Sequence, residues 1–462
     1  MYLGRRFAIA TESFLATRAG YEAYKAGGNA ADAATAASIV LTYTLPHLGG
    51  VGGDFLALVH RGGRVDAVLG LGWAPRRVPE RPPRRGIESA VVPGYVAGIA
   101  EFHKRFGNLE WGAVVDLALE AMRQAAMHPS LVDAIRRNRE LLEKDPGGRI
   151  YLELPTEPGS PYRIEPLLKL WERLREDPRL FYDEVAHDVC KMGHFESDDF
   201  KKFMPEVRDP VHVEYEGWRL YEAPPPSLGF VVLLAVKLAE PARGAFTYER
   251  IRNTIRALKK AHWARDAYLH DGDVPVDKIL RGEAPLGEAA GPEPTVGTTY
   301  LAAADEELVV SAIQSLYYPF GSGVTEPKWG VTLNNRASDF TTGLNKAAPH
   351  KRPAHTLSAV VMEKEDDVYA LGASAGHYRP AIYTQLIQNI AVYKMDGRSA
   401  VWAPRFIWLG GDSARAEEGW EAGPGVETVK YPSRMGVASL VRRKNGVEAV
   451  ADIRGDGLAL GL

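Results

Sequence analysis

The spacing of hydrophobic residues predicts mainly helices in the first part of the chain. Residues 136–270 are expected to be mostly amphipathic helix, interrupted by a rigid turn at Pro224–Ser227. One β-hairpin is predicted in this part, with strands at 55–59 and 64–69 joined around two glycines. Helices are predicted at 16–26, 110–127, 166–175 and 248–269. Two more are predicted between the first two of these: one begins at Asn29 and ends at Pro46, and the other ends at Phe106.

The second of these helices carries its own start signal. Asn29 is a favoured N-cap residue, and Asp32 three residues later places a carboxylate in the first turn, where the helix dipole favours it. Six alanines follow within eight residues, at 30, 31, 33, 34, 36 and 37. This composition favours close packing against a sheet over an exposed position.

After residue 297 the pattern changes to short apolar runs that are typical of β-hairpins. Residues 300–304 and 308–313 are separated by three acidic residues and predict one hairpin; 357–362 and 368–372 predict another. A helix over 381–393 and short C-terminal strands follow. A helix-rich first part and a strand-rich second part favour an α+β layered fold over a parallel βαβ chain.

Gly297-Thr298-Thr299-Tyr300 opens the first of these strands. A loop rich in Pro, Gly and acidic residues, 271–296, precedes it. A Thr at this point can be released by chain cleavage and become an N-terminal nucleophile. Threonine is also common at strand starts because it is β-branched, so these four residues alone favour an ordinary strand.

Composition excludes several classes of function. The 462 residues are 45% hydrophobic and 25% charged, with a net charge of −3, which gives no electrostatic reason to expect nucleic acid or a membrane surface as a partner. No apolar run reaches membrane-spanning length, and the start of the chain lacks the apolar core of a secretory signal, so a cytoplasmic location is expected. Scarce Gln with abundant Arg, Glu and Pro fits a heat-adapted (thermophile) source.

Metal and cofactor sites are not predicted. Cys190 is the only cysteine, which excludes an internal disulfide and a thiolate metal cluster. His47 and His377 lack neighbouring residues at ligand spacing. The glycine run Gly49–Gly53 follows a predicted helix and opens a strand, the reverse of a nucleotide-binding loop, and no lysine accompanies it.

An ordered set of short stretches resembles the γ-glutamyltranspeptidase family across nearly the whole chain. The stretches are Ala26–Ala34, Gly49–Gly53, Ala74-Pro75, Val92–Gly98, Pro224–Ser227, Phe320–Gly323, Leu333–Asn335, Lys351–Pro353 and Ala403–Phe406. The resemblance implies a four-layer αββα sandwich of the N-terminal nucleophile (Ntn) hydrolase type. It also implies a precursor that cuts itself into residues 1–297 and 298–462, which remain together as one αββα domain. Thr298 matches the family's nucleophile and Gly297 its scissile bond.

The chemistry of such a nucleophile is reasonable from first principles. A Thr hydroxyl needs a base, and an N-terminal α-amine with an ordinary pKa of about 7.7–8.0 is substantially neutral near physiological pH. The resemblance assigns Ser315 as the second hydroxyl beside Thr298, and Ala375 with Gly376 as backbone donors of an oxyanion hole. An ordinary tight turn at 372–376 is the alternative for the last pair.

The substrate-binding positions depart from the family pattern. The family's carboxylate-binding arginine corresponds to Leu71, and its serine pair corresponds to His355 and Thr356. Tyr317 and Arg336 replace its amide side chains, while an acid persists as Asp339. Arg336 either binds a substrate carboxylate at a new point or forms a structural ion pair with Asp339.

These residues together predict a self-processing threonine amidohydrolase that resembles γ-glutamyltranspeptidase (glutathione hydrolase) and acts through an acyl-enzyme. The His355-Thr356 pattern is closer to the acylase-like branch, so an acylase for a non-γ-glutamyl amide, such as a glutaryl amide, is an alternative; a catalytically inactive family member is another. The expected partners are a small-molecule amide and the other cleaved fragment, without nucleic acid or membrane, and a homo-oligomer is left open.

Overall fold

The structure is a computed structural model that describes residues 1–293 and 297–462. The end of the predicted loop before Gly297, residues 294–296, therefore lies outside the described residues. Helices of the described residues are α1 Phe14–Lys25, α2 Ala30–Thr44, α3 Pro46–Gly49, α4 Tyr95–Phe106, α5 Trp111–Met122, α6 Pro129–Arg137, α7 Arg139–Glu143, α8 Arg149–Leu152, α9 Glu165–Leu174, α10 Ala186–Cys190, α11 Ser197–Lys201, α12 Gly229–Leu238, α13 Tyr248–Tyr268, α14 Val276–Arg281, α15 Arg379–Ala391 and α16 Gly397–Trp402.

The strands form two large antiparallel sheets and two small ones. The strands are β1 Tyr2–Gly4, β2 Phe7–Thr11, β3 Asp54–Arg61, β4 Arg64–Gly70, β5 Glu206–Arg208, β6 Val211–Tyr215, β7 Trp218–Glu222, β8 Thr298–Asp305, β9 Leu308–Ser315, β10 Thr325–Glu326, β11 Val331–Thr332, β12 Val360–Lys364, β13 Asp367–Ser374, β14 Phe406–Gly410, β15 Ser413–Glu417, β16 Val426–Val429, β17 Val437–Arg443, β18 Val447–Ala451 and β19 Leu458–Gly461. One large sheet has seven strands in the order β19-β2-β8-β9-β3-β4-β5, and the other has seven in the order β1-β18-β17-β13-β12-β7-β6.

Three buried apolar clusters separate four layers. Leu56, Leu58 and Ala302 of the first sheet pack against Val361 and Ala370 of the second, which forms the core between the sheets. The outer face of the first sheet is covered by α1, α2 and α4, on which α5 packs; the outer face of the second is covered by α12 and α15, on which α13 packs. The predicted αββα sandwich of the Ntn-hydrolase type is confirmed.

The predicted helix start at Asn29 is also confirmed. The Asn29 side chain accepts hydrogen bonds from the backbone N–H groups of Ala31 and Asp32, and the Asp32 carboxylate accepts one from the Asn29 N–H. Every residue of α2 is buried. Its small side chains allow the helix to lie directly on β8 and β9, the strands that carry the candidate site residues Thr298 and Ser315.

The expectation of mainly helix over 136–270 is wrong for its central part. Residues 206–222 form β5, β6 and β7, which add edge strands to both large sheets. The run Val211–Tyr215 alternates between apolar and polar residues, the period of a strand with one face buried. The second predicted hairpin after residue 297 is present, but its first strand, β12, begins at Val360, three residues later than expected.

Candidate active site

Sheet register brings three polar side chains to one place. Thr298, the first residue of β8, pairs directly with Ser315, the last residue of β9, and Ser315 pairs in turn with Asp54, the first residue of β3. Directly opposed residues in an antiparallel sheet project their side chains from the same face. The register therefore lines up Thr298, Ser315 and Asp54 along one end of the sheet.

Thr298 and Ser315 contact each other and the peptide bond before Thr298. The Thr298 hydroxyl lies 3.2 Å from Ser315 Oγ, and Ser315 Oγ donates to the carbonyl oxygen of Gly297 over 2.7 Å. Ser315 Oγ also accepts the N–H of Tyr317 at 2.8 Å. Because the one hydroxyl proton of Ser315 is used on the Gly297 carbonyl, the arrangement polarises that carbonyl beside the hydroxyl of Thr298.

Glycine is required at position 297 by a close backbone approach. A Cβ atom at Gly297 would lie 2.2 Å from the carbonyl oxygen of Tyr317 and 2.8 Å from the carbonyl carbon of Tyr318. The backbone of Tyr317 is itself unusual, with φ of 83°, a conformation that costs non-glycine residues energy and is concentrated at functional sites. The scissile position predicted from sequence is thus a place where two backbone segments touch.

Arg336 forms its ion pair with Asp54 and not with Asp339. Its Nε lies 3.4 Å from Asp54 Oδ2, both side chains are fully buried, and its remaining nitrogens reach Thr356 Oγ1 at 3.1 Å and Ser315 Oγ at 3.4 Å. Burial raises the pKa of Asp54 to about 6, although Arg336 and the Gly72 N–H oppose the shift. The alternative of a structural ion pair between Arg336 and Asp339 is therefore wrong.

Asp339 has a different partner, Arg265 of helix α13. Arg265 Nη2 lies 2.7 Å from Asp339 Oδ1, and the Tyr317 hydroxyl donates to the same oxygen over 3.2 Å. Asp339 Oδ2 is buried without a hydrogen-bond partner, and burial raises the pKa of this carboxyl. The Tyr317 ring also stacks under the Arg336 guanidinium at 4.4 Å, so the two ion pairs share one aromatic side chain.

His355 and Thr356 lie on the same network. His355 Nδ1 is 3.9 Å from Asp54 Oδ2, too far for a hydrogen bond, and both of its ring nitrogens are buried without a hydrogen-bond partner. Burial, together with Arg336 and Arg352, keeps the pKa of His355 well below its ordinary value, so this imidazole is neutral. The Thr356 hydroxyl accepts a hydrogen bond from Arg336.

Ala375 and Gly376 follow the end of β13. Gly376 has φ of 52°, the left-handed region that favours glycine, and begins a short 3-10 helix. Ser374, the residue before Ala375, lines the same cavity as Thr298, which brings this segment close to Thr298. His377 Nε2 lies 3.5 Å from the Tyr317 hydroxyl and ties the segment to the Asp339 network.

A cavity of about 290 Å³ reaches Gly297 and Thr298. Its described lining includes Glu12, His47, His128 and Ser374, but none of the substrate-binding residues predicted from sequence. Those residues, Tyr317, Arg336, Asp339, His355 and Thr356, are buried on their own network.

Sequence reasoning missed Glu12, Asp54 and Arg265. Asp54 stands directly after the glycine run, a position that could have drawn attention to it. Glu12 and Arg265 carry no local signal, because one follows a short strand and the other lies in an ordinary amphipathic helix.

No group of three or more His, Cys, Asp or Glu suited to a metal ion occurs in the described residues, and none of their helices is long and apolar enough to cross a membrane.

The fold, and a serine hydroxyl beside the hydroxyl of a strand-initial threonine, are those of an Ntn-type amide hydrolase, and comparison with known proteins agrees. A model of the γ-glutamyltranspeptidase family matches residues 16–462. The glutathione hydrolase-like YwrD proenzyme of Bacillus subtilis (strain 168) is 31% identical over an alignment that covers 100% of this chain and 99% of that protein. The oxamate amidohydrolase proenzyme of Klebsiella pneumoniae is 27% identical, with 97% of both chains covered.

The crystal structure of a cephalosporin acylase from Bacillus halodurans superimposes with a TM-score of 0.90 at 27% identity, over 99% of this chain and 96% of the acylase. The chain belongs to the γ-glutamyltranspeptidase family, whose members hydrolyse amide bonds or transfer their acyl groups. The chain is therefore an enzyme that hydrolyses amide bonds or transfers their acyl groups.

Proposed function

We propose that the chain is a precursor that cuts itself between Gly297 and Thr298 and then hydrolyses amides with Thr298 as an N-terminal nucleophile. The observation that carries the proposal is the contact of Ser315 with both residues. The Ser315 hydroxyl donates to the Gly297 carbonyl oxygen over 2.7 Å, and the Thr298 hydroxyl lies 3.2 Å from Ser315 Oγ.

Self-cleavage would proceed as an N-to-O acyl shift. The Thr298 hydroxyl oxygen attacks the Gly297 carbonyl carbon and the Ser315 O–H stabilises the oxyanion. The bond from that carbon to the Thr298 nitrogen then breaks, and the nitrogen takes up the proton that the hydroxyl lost. Water then hydrolyses the resulting ester, which leaves a carboxylate on Gly297 and a free α-amine and hydroxyl on Thr298.

In turnover the same hydroxyl attacks the substrate amide while the α-amine accepts its proton. The amine leaving group departs, and water releases the acyl group from Thr298. The backbone N–H groups of Ala375 and Gly376 are the proposed oxyanion donors in this phase, because Ser374 beside them lines the Thr298 cavity.

The two cleaved fragments are expected to stay together because they share both sheets. Strand β8, which would begin the second fragment, lies between β2 of the first fragment and β9, and β9 pairs with β3 of the first fragment. Separation would break the hydrogen bonds of β8 to β2 and of β9 to β3, and would expose the apolar core between the sheets. We therefore expect the processed enzyme to behave as one αββα domain.

The acyl group is proposed to be other than γ-glutamyl. Leu71, at the position of the family's carboxylate-binding arginine, is fully buried in the core between the sheets, and Arg336 is held by Asp54. A leucine offers no charged hydrogen bond to an α-carboxylate. The similarity to an oxamate amidohydrolase and to a cephalosporin acylase supports an acylase that acts on a different acid.

Intact-mass measurement on fresh and incubated protein tests the first part. The 50.6 kDa chain should split at the Gly297–Thr298 bond, and Thr298→Ala should remain whole. Thr299→Ala is the matched control: this hydroxyl is also buried, makes no hydrogen bond, and belongs to the neighbouring residue, so the variant should split normally. A wild-type chain that stays whole and inactive would refute the proposal.

A panel of γ-glutamyl, glutaryl and oxalyl anilides tests the acyl group. We expect the processed enzyme to release aniline faster from a non-γ-glutamyl member. Preference for the γ-glutamyl anilide would contradict the argument from Leu71 without affecting the assignment of Thr298.

A further inference from the structure

Glu12 connects the strand of the proposed nucleophile to the strand that leads to Ala375. It directly follows β2 and is 6% exposed. Its Oε1 accepts the backbone N–H of Tyr300 at 3.0 Å, and its Oε2 accepts the Ser374 hydroxyl at 3.1 Å. Ionising a carboxyl buried at this junction costs desolvation energy, so a positively charged partner nearby would stabilise its ionised form.

The direction of the Thr298 nitrogen follows from strand geometry. Backbone N–H groups two residues apart in a strand point to the same side, so the nitrogens of Thr298 and Tyr300 face the same neighbour. The Tyr300 N–H points to Glu12, at the end of β2. The Gly297 carbonyl points the opposite way, toward Ser315 of β9, as this alternation requires.

The nitrogen of Thr298 is thus aimed at the side of the strand that Glu12 occupies. Two residues of a strand span about 7 Å, so a carboxylate held at the Tyr300 nitrogen is within one side-chain rotation or one bridging water of the Thr298 nitrogen. Glu12, Thr298 and Ser374 line the same cavity. The β2 partner strand ends at Thr11, so no backbone of β2 faces this nitrogen.

We propose that Glu12 binds the α-amino group that cleavage creates on Thr298 and orients it toward the Thr298 hydroxyl. This inference rests on the proposed function, because the amine exists only after the Gly297–Thr298 bond is cut. Glu12 is a positioning residue: its carboxylate holds the amine, and the amine takes the hydroxyl proton.

The other ionisable groups around the cavity do not replace Glu12. His47 and His128 are kept neutral because burial lowers the pKa of both, that of His47 to about 3. Asp133 and Asp456, and the basic Arg137 and Arg434, also line the cavity, and all four are at least partly exposed to solvent. Arg454 is paired with Glu417 and Asp452.

Two further charges act on Glu12 itself. Asp452 opposes its ionisation and Arg379 favours it, but burial dominates and raises the pKa of Glu12 to about 8 in the uncut chain. A new ammonium beside Glu12 would lower that pKa, and the carboxylate would raise the pKa of the amine in return. At acidic pH the amine takes a proton and the enzyme loses activity, which gives the acid limb of the kcat/KM profile. The pH of this limb therefore depends on the interaction between Glu12 and the amine.

The test compares Glu12→Gln with Glu222→Gln in processed enzyme. Glu222 is a matched control: it is fully buried, its pKa is also raised to about 8, and it likewise accepts one serine hydroxyl, of Ser358, and one backbone N–H, of Ala359. It does not line the Thr298 cavity. We expect E12Q to move the acid limb of kcat/KM to lower pH by about one unit, and E222Q to leave it in place.

Self-cleavage gives a second readout, since Thr298 has no amine before the cut. At pH 7, E12Q should cut itself at the same rate as E222Q, as measured by intact mass over time. If E12Q fails to fold, Glu12→Asp keeps the charge one methylene further away and should shift the limb in the same direction by less.

Three results would overturn the proposal: an E12Q acid limb that is unchanged or moves to higher pH, an equal shift in E222Q, or a folded E12Q that cannot cut itself while E222Q can. A wild-type chain that never splits would instead refute the proposed function, and mass alone would reveal it before any pH profile.

Discussion

The hydroxyl of Ser315 donates to the carbonyl oxygen of Gly297 over 2.7 Å, across the register of two paired strands. A hydrogen-bond donor on this oxygen stabilises the charge that develops when the carbonyl is attacked. The contact therefore predicts how the uncut chain responds when the donor is removed.

Ser315→Ala should slow self-cleavage by about 10²–10³-fold, the usual cost of losing one oxyanion donor. Ser315→Thr keeps the hydroxyl and should retain most of the rate. The fraction of uncut chain, followed by gel electrophoresis over time, measures the effect. Ser311→Ala is the control, because Ser311 is a buried serine of the same strand that bonds Tyr300 instead; equal rates for S315A and S311A would contradict the assignment.

Gly297→Ala should block self-cleavage. The added Cβ would lie 2.2 Å from the Tyr317 carbonyl oxygen, a rigid backbone atom, so the carbonyl at 297 must leave its place beside Ser315. Gly112→Ala provides the comparison, because a Cβ there meets its nearest atom at 3.6 Å in a helix that favours alanine. Intact mass after incubation distinguishes them, and a G297A chain that splits normally would show that the close approach does not matter.

Arg265→Met should destabilise the fold by about 3–5 kcal/mol, because it leaves the buried carboxylate of Asp339 without its cation. The measurement is chemical unfolding in the Thr298→Ala background, which keeps the chain whole. Arg281→Met removes the exposed ion pair with Glu283 and should leave the unfolding midpoint where it is. Similar midpoints for the two variants would mean that the Arg265–Asp339 pair contributes little.

Glu222→Gln should become increasingly stable relative to wild type as pH rises from about 5 to 8. Burial raises the pKa of Glu222 from 4.5 to about 8, so the folded chain holds a proton that the unfolded chain has lost in this window. Wild-type stability therefore falls with rising pH, and a neutral Gln avoids that loss. Melting temperatures of both proteins across pH 5 to 9 check this; a difference that does not change with pH would contradict it.

Much of the fold could be predicted from local pattern, and the exceptions have physical causes. The alanine-rich helix after Asn29 and the hairpin of β8 and β9 follow from hydrophobic spacing, capping and acidic turn residues. The strand Val211–Tyr215 was missed although its residues alternate, because the helical patterns of α9 before it and α13 after it were extended across the whole region between them. The proximity of Thr298 and Ser315 was foreseeable, since a hairpin pairs residues at equal distances from its turn.

The sequence alone establishes the order of the motifs, because each motif consists of residues adjacent along the chain. The family resemblance that those motifs carry in turn implied the layered fold and the candidate nucleophile. The partners of the buried charges needed the folded molecule. Arg336 meets Asp54, 282 positions away, instead of Asp339 three positions away, and Glu12 meets Tyr300 across 288 positions. Such contacts depend on the order and register of strands from both ends of the chain, which no local spacing encodes. The same assembly brings the Gly297 backbone against that of Tyr317, and so makes this one glycine necessary.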